Sequence, residues 1–216
     1  MNSKKLTLAV RGQKAHQQLK MISTDLAVQQ VCGTVLDDPR FGIWTASAKP
    51  YTHHYGVGGL AVHTLEVYDL AISAYLNVLR TEEESRTDTK RLIFLAVVFH
   101  DVGKLWDYEP VDNIKPIETW DWQTTKHKEL IHHISRSALV WDQARRRVAG
   151  LGYPGREYEI TETMFDEVYH AILAHHGQKE WGSPVTPKTK LAWLIHTCDH
   201  LSARYDDCEN ERPEKY

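Results

Sequence analysis

Apolar positions recur at helical spacing in almost every long segment of the chain, and the strict alternation expected of half-buried strands is scarce. This pattern predicts an all-α protein. A first helix is expected over residues 14–36, with Leu19, Ile22, Leu26, Val31 and Val35 as its inward stripe. A loop containing Pro39, Gly42 and Pro50 follows. The second helix begins after Gly58-Gly59 and carries Leu60, His63, Val67, Leu70 and Ala74 on one face, ending before a polar run at 81–89. The third, from Thr89, is apolar on every side through Phe99, the signature of a buried central helix.

Residues 106–123 are poorly periodic, contain Pro110, Pro116 and three tryptophans, and read as a long loop. A fourth helix is expected over 125–148, with Leu130, Ile134, Ala138 and Trp141 on one face, before Gly150, Gly152, Pro154 and Gly155 break the chain. A fifth runs from Thr161 into His175-His176. The sixth opens on Thr186-Pro187, a good cap and first-turn pair, and continues to Tyr205. No internal repeat or domain boundary is visible. The expectation is a single domain: an N-terminal helical segment (1–40), the core (41–205) and a charged tail (206–216).

Composition narrows the class. The longest apolar run, Leu92 to Phe99, has eight residues, against the roughly 20 needed to span a bilayer, so no membrane association is expected. The N-terminus has no apolar stretch of signal-peptide length, which points to the cytoplasm. Cys32, Cys198 and Cys208 are odd in number and form no CxxC pair, so neither a disulfide framework nor a cysteine zinc site is indicated. A net charge of −3 provides no global attraction for polyanions. The unusual figure is histidine, 13 of 216 residues.

Most of these histidines fall near predicted helix ends. His100-Asp101 closes the apolar third helix, where both side chains would be costly to bury unless something satisfies them. A divalent metal would do so, and imidazole with carboxylate suits manganese, iron, zinc or nickel. An isolated His-Asp pair can equally be a helix-end cap. Here, however, His63, Asp199, His175-His176 and His132-His133 come from four further helices, the way metal sites are assembled in bundles.

These residues carry a resemblance. The order His63, His100-Asp101, Asp199, with Gly103-Lys104 following, is similar to the minimal pattern of the HD-domain metal-dependent phosphohydrolases. The chain more closely resembles the HD-domain 3′→5′ exoribonucleases of the YhaM type. The matching segments are Ala48-Lys49, His53-His54, Gly58-Gly59-Leu60, His63-Thr64, Phe99 to Lys104, His132-His133-Ile134, Ile172 to Gly177 and Gly182 to Val185, then Pro187-Lys188-Thr189 and Cys198-Asp199. That family usually carries an OB-type domain ahead of this one. The roughly 45 residues before the first motif are too few for one, which leaves substrate length open between polymers, short oligonucleotides and mononucleotides.

The resemblance implies an HD-domain helical bundle with two divalent ions, manganese foremost, with iron, nickel, zinc or magnesium as alternatives. His63, His100, Asp101 and Asp199 would hold the first. Asp101 would bridge to a second held by His133, His175 and His176, with His132 as the competing ligand in its pair. Two such ions can share a hydroxide and clamp the attacking and leaving oxygens of a phosphoryl displacement. Asp101 and Lys104 are the expected catalytic residues, Lys104 beside the phosphate oxygens, with Lys49, His54 and Arg204 as further substrate contacts. The implied activity is hydrolysis of single-stranded RNA or DNA from the 3′ end to nucleoside 5′-monophosphates. The alternatives are a nucleotide phosphohydrolase acting on dNTPs, NMPs or a cyclic nucleotide, and a non-catalytic HD-type binding protein. The expected partner is a nucleic acid or nucleotide, with a homo-oligomer as one possible assembly.

His16, His127, His170, His196 and His200 match no motif and are expected at the surface or behind the ligands, His196 as a candidate to orient Asp199. The tryptophan-containing loop matches none either, so packing or an oligomer contact is its expected use and base stacking the alternative. Gly152-Tyr153-Pro154 is similar to a cyclic-dinucleotide phosphodiesterase signature but precedes the His-His pair instead of following it, so it reads as a turn.

Overall fold

A computed structural model describes residues 3–22, 25–50, 52–79, 86–149 and 159–209. The expected break at 150–155, including Gly152-Tyr153-Pro154, lies outside them. The chain is an all-α single domain, with a two-stranded hairpin as the one sheet among the described residues. Its helices are α1 (Ser3–Met21), α2 (Leu26–Leu36), α3 (Gly59–Ala74), α4 (Arg86–His100), α5 (Lys104–Asp107), α6 (Lys126–Leu130), α7 (His132–Ala149), α8 (Glu162–Ala174) and α9 (Lys190–Glu209).

Helix α4 is the centre of the fold. From Ile93 to Phe99 every side chain is at most 2% exposed, because α2, α3, α7, α8 and α9 all pack against it. An apolar surface on every face requires such a shell. Trp141 of α7, fully buried, stacks on Phe165 at 5.6 Å and meets Phe99 edge-on at 5.1 Å, joining α7, α8 and α4. Helix α1 lies along α3.

Four expectations are corrected. The helix expected over 14–36 is two helices: Asp25 caps α2 by accepting the Val28 amide at 3.2 Å, and Leu26 at the new N-terminus is 51% exposed rather than part of the stripe. The helix expected over 125–148 breaks before His132, whose φ of +67° is left-handed, so Leu130 is exposed while Ile134, Ala138 and Trp141 are buried as anticipated. The last helix starts at Lys190, not Thr186, because the Thr189 hydroxyl accepts the Ala192 amide at 3.2 Å. Finally, the loop read at 106–123 contains the end of α5 and the antiparallel strands β1 (Tyr108–Pro110) and β2 (Trp122–Thr124). Three residues per strand are too few for alternation to show.

The tryptophans near that hairpin are used for packing. Trp122 is 4% exposed and meets Trp44 edge-on at 5.1 Å, and Trp44 Nε1 donates to the Tyr108 carbonyl at 2.9 Å. Trp106 is bracketed by the guanidinium groups of Arg40 and Arg136, 5.2 and 5.3 Å from its ring. Among the described residues, no helix is long and apolar enough to cross a membrane.

Candidate metal centre

The ends of α4 and α8, the start of α7 and the inward faces of α3 and α9 converge beside the core. His63 Nε2 lies 3.0 Å from Asp199 Oδ1, 3.3 Å from Asp101 Oδ2 and 3.4 Å from His100 Nε2. His100 Nε2 is 3.6 Å from Asp101 Oδ2 and 3.8 Å from Asp199 Oδ1. Ligand atoms each about 2.1 Å from one ion are separated by about 3.0 to 3.4 Å along the edges of an octahedron or tetrahedron. The three separations from His63 fall in that range and the two from His100 to the carboxylates exceed it slightly, so these four buried side chains form one cage of about the size an ion needs.

A second group adjoins it through the other oxygen of the same carboxylate. Asp101 Oδ1 is 3.4 Å from His133 Nε2 and 3.5 Å from His175 Nε2, and His133 Nε2 is 3.4 Å from His176 Nε2. Asp101 Oδ1 and His175 Nε2 are buried without a hydrogen-bond partner. Buried polar atoms without partners are costly, and here both point into the second cage. The donor set thus fits divalent ions.

The outer ring nitrogens show why each Nε2 is free to act as a ligand. His100 Nδ1–H donates to the Val97 carbonyl at 2.7 Å, His175 Nδ1–H to Ile172 at 2.7 Å and His176 Nδ1–H to Trp181 at 2.7 Å. His133 Nδ1–H donates to Asp107 Oδ2 at 3.1 Å, and His63 Nδ1–H to Ser202 Oγ at 3.1 Å, whose hydroxyl donates onward to Glu66 Oε2 at 3.1 Å. When neutral, all five rings are held in the tautomer that leaves a lone pair on Nε2, the role outer partners play around metal ligands. The alternative reading of His100 as a helix-end cap is also true of its other nitrogen.

Charge is arranged accordingly. Burial pushes His100 and His133 down to about 4 and His176 down to about 2, so these rings are neutral. Burial also pulls on His63, but hydrogen bonds to Asp101 and Asp199 push it up to about 9. Against burial, Lys104 and His100 hold Asp101 well below the usual carboxylate range, and His63 does the same for Asp199.

The chain builds this geometry locally. A Cβ on Gly103 would fall 2.2 Å from the His133 carbonyl oxygen, so only glycine lets the turn after Asp101 touch the start of α7. The Gly103 amide is then anchored on Ser137 Oγ at 2.9 Å. His54 and His132 are the two non-glycine residues with positive φ among those described, and both flank the cluster, where such strain tends to collect.

The other candidate residues are placed as follows. Lys104 is 6% exposed, and its Nζ lies 2.6 Å from Asp101 Oδ2. His54 is buried and bonded through Nε2 to Glu66 at 2.8 Å, which turns it toward a carboxylate. The His54 ring lies 5.2 Å from that of His63, and the ring of its neighbour His53 lies 5.6 Å from the His63 ring. Lys49 is exposed, with its amide on Ser47 Oγ, and Arg204 is exposed on α9, its charge acting on His200. Of the motif-free histidines, His196 donates to the His175 carbonyl at 2.7 Å and does not reach for Asp199, His16 bonds the Leu36 carbonyl and His170 accepts the Lys188 amide.

Sequence reasoning missed Asp107, Glu66 and Ser202. Asp107, fully buried, accepts the His133 amide and ring and also His127 Nδ1–H at 3.0 Å. Each of the three sits three residues beyond a motif residue, Lys104, His63 and Asp199 respectively. On a helix that spacing marks a shared face.

Residues 60–204 match the family model described as HD domain. The chain therefore belongs to the HD-domain family, a superfamily of metal-dependent phosphohydrolases. The match contains every residue of both cages; the segment carrying Lys49, His53 and His54 precedes it. No solved structure matches the chain.

Proposed function

We propose that the protein is a divalent-metal-dependent phosphodiesterase of the YhaM type, releasing nucleoside 5′-monophosphates from the 3′ end of single-stranded RNA, DNA or short oligonucleotides. The observation that carries this reading is the division of Asp101, with Oδ2 directed to His63 and His100 and Oδ1 to His133 and His175. A carboxylate bridging two cages supports a two-ion centre, with His63, His100, Asp101 and Asp199 around one ion and Asp101, His133, His175 and His176 around the other. Manganese is the proposed ion.

Bound ions there supply positive charge to a phosphodiester and acidity to the attacking water. The chain's own residues do the rest. The buried helix ends hold the ligands rigidly, so little reorganisation accompanies reaction. Lys104, paired with Asp101 at 2.6 Å, keeps a cation beside the position of the phosphate, where its Nζ can donate to a non-bridging oxygen as charge builds.

The test is product analysis with manganese-loaded protein against labelled single-stranded oligonucleotides, cyclic dinucleotides and dNTPs, with Asp101→Ala as control. Stepwise shortening with release of 5′-monophosphates is expected. Intact oligonucleotides alongside hydrolysed dNTPs would replace this reading with a nucleotide phosphohydrolase.

A further inference from the structure

A row of aromatic rings that supplies none of the candidate ligand atoms is attached to the residues that do. Trp181 ends a short 3-10 turn (Lys179–Trp181), and its ring lies over His200 at 5.0 Å and 31°. His200 is 4.6 Å from His196, which meets Trp193 edge-on at 5.9 Å. The two indoles are 49% and 55% exposed, unlike the core aromatics Trp141, Phe94 and Phe99.

This row is tied to the ligands at three points. The Trp181 carbonyl accepts His176 Nδ1–H at 2.7 Å. His196 donates to the carbonyl of His175 at 2.7 Å. His200 directly follows Asp199 in α9. The Trp181 backbone is therefore joined to a residue of the second cage, and its ring lies on the neighbour of Asp199, a residue of the first.

The segment carrying it is rigid. The Gly182 amide bonds Lys179 at 2.9 Å, the Ser183 amide bonds Gln178 at 3.1 Å, and the buried Ser183 hydroxyl bonds Leu173 of α8 at 3.1 Å. Gly177 turns at φ +83°, where an added Cβ would fall 2.2 Å from His196 Cε1. The indole on this mount has His200 and His196 against it and still leaves about half of its residue surface to solvent. A planar partner could stack there with little ordering cost.

We propose that Trp181, backed by His200, is the platform on which the nucleobase of the substrate stacks while its phosphate sits at the metal centre. The inference rests on the phosphodiesterase reading and specifies its substrate as one recognised by base as well as phosphate. Recognition by a ring face is tolerant of base identity, since every base has a π-face.

The test is equilibrium binding of AMP and of ribose 5-phosphate to the manganese-loaded protein by calorimetry, for wild type, Trp181→Ala and Trp181→Phe, each checked for folding by circular dichroism. Wild type is expected to prefer AMP by about 5- to 150-fold, the usual worth of one base–aromatic stack. Trp181→Ala should bring the two ligands within about twofold by weakening AMP alone, and Trp181→Phe should keep most of the preference. Equal binding of the two ligands by wild type, an unchanged preference in Trp181→Ala, or no measurable AMP binding overturns the proposal. So does a Trp181→Ala variant that alters only the sedimentation coefficient, since the ring would then be a protein contact. Failure of the parent reading is separate: a Trp181-dependent AMP preference with no oligonucleotide hydrolysis upholds the platform and sinks the phosphodiesterase. Hydrolysis without a base preference does the reverse.

Discussion

Asp107 Oδ2 lies 3.1 Å from both the ring Nδ1 and the backbone nitrogen of His133. One carboxylate therefore caps the first turn of α7 and sets the tautomer of a candidate ligand, while its other oxygen accepts His127 Nδ1–H at 3.0 Å. His127 in turn accepts Arg136 Nε–H at 3.0 Å. The orientation of His133 is thus decided by a buried acid that no metal-site motif contains.

Replacing Asp107 by Asn should weaken the second ion site about 10- to 100-fold and leave the first nearly unchanged, as expected for loss of a carboxylate behind a histidine ligand. Manganese titration by calorimetry separates the two sites. Equal loss at both, or at neither, would contradict the role given to Asp107.

Ion stoichiometry tests the bridge. Elemental analysis should find two ions per wild-type chain, one in His176→Ala and His133→Ala, and fewer than one in Asp101→Ala, because only Asp101 serves both cages. One ion in wild type would reduce the second cage to a hydrogen-bonded histidine cluster.

Lys104→Gln should retain both ions yet lower kcat/KM by about 100-fold, the scale seen when one donor to developing charge is removed. Steady-state kinetics alongside metal analysis reads both quantities. Unchanged kinetics would leave Lys104 as a structural counter-charge for Asp101.

Proton competition sets the pH dependence. Without an ion, burial pulls His63 down, but the hydrogen bonds it donates to Asp101 and Asp199 push it up to about 9. A raised folded-state value contributes stability that is fully present below the ordinary value of 6.5 and is lost as pH rises through about 9. His100 and His133, lowered by burial to about 4, act oppositely: their contribution is present above 6.5 and lost as pH falls through about 4. An ion must displace the His63 proton across the neutral range. The rise in Tm on adding manganese should therefore grow from pH 6 to 8.5 in thermal-shift measurements. A flat or shrinking increment would argue against His63 as a ligand.

Trp141→Ala should cost about 3–5 kcal/mol in denaturant unfolding, since its fully buried ring joins three helices. A cost below about 1 kcal/mol would mean that the surrounding side chains collapse into the space.

Much of this protein can be read from its residues in order. Helical period identifies the class, and the all-round apolar run before His100 identifies the central helix, because burial demands apolar side chains at every angle. Ligand identity is equally visible. His63, His100, Asp101, His133, His175, His176 and Asp199 can be named because an ion accepts few residue types, and most sit at helix ends, where the chain can turn into a common space.

Tertiary structure alone decided how those ligands are held. Asp107 meets His133 across 26 residues, and Ser202 meets His63 across 139. Such pairings depend on how helices cross, and a lone Asp or Ser at i+3 from a motif residue looks like any solvated position until its neighbour is known. The break at His132 is hidden for the same reason. Its left-handed backbone is stabilised by the Asp107 cap on the following residue and by the close approach of Gly103 to His133, contacts that local periodicity does not record. The sequence therefore determined which side chains could ligate an ion, and packing decided the tautomer, the spacing and the exposed indole beside them.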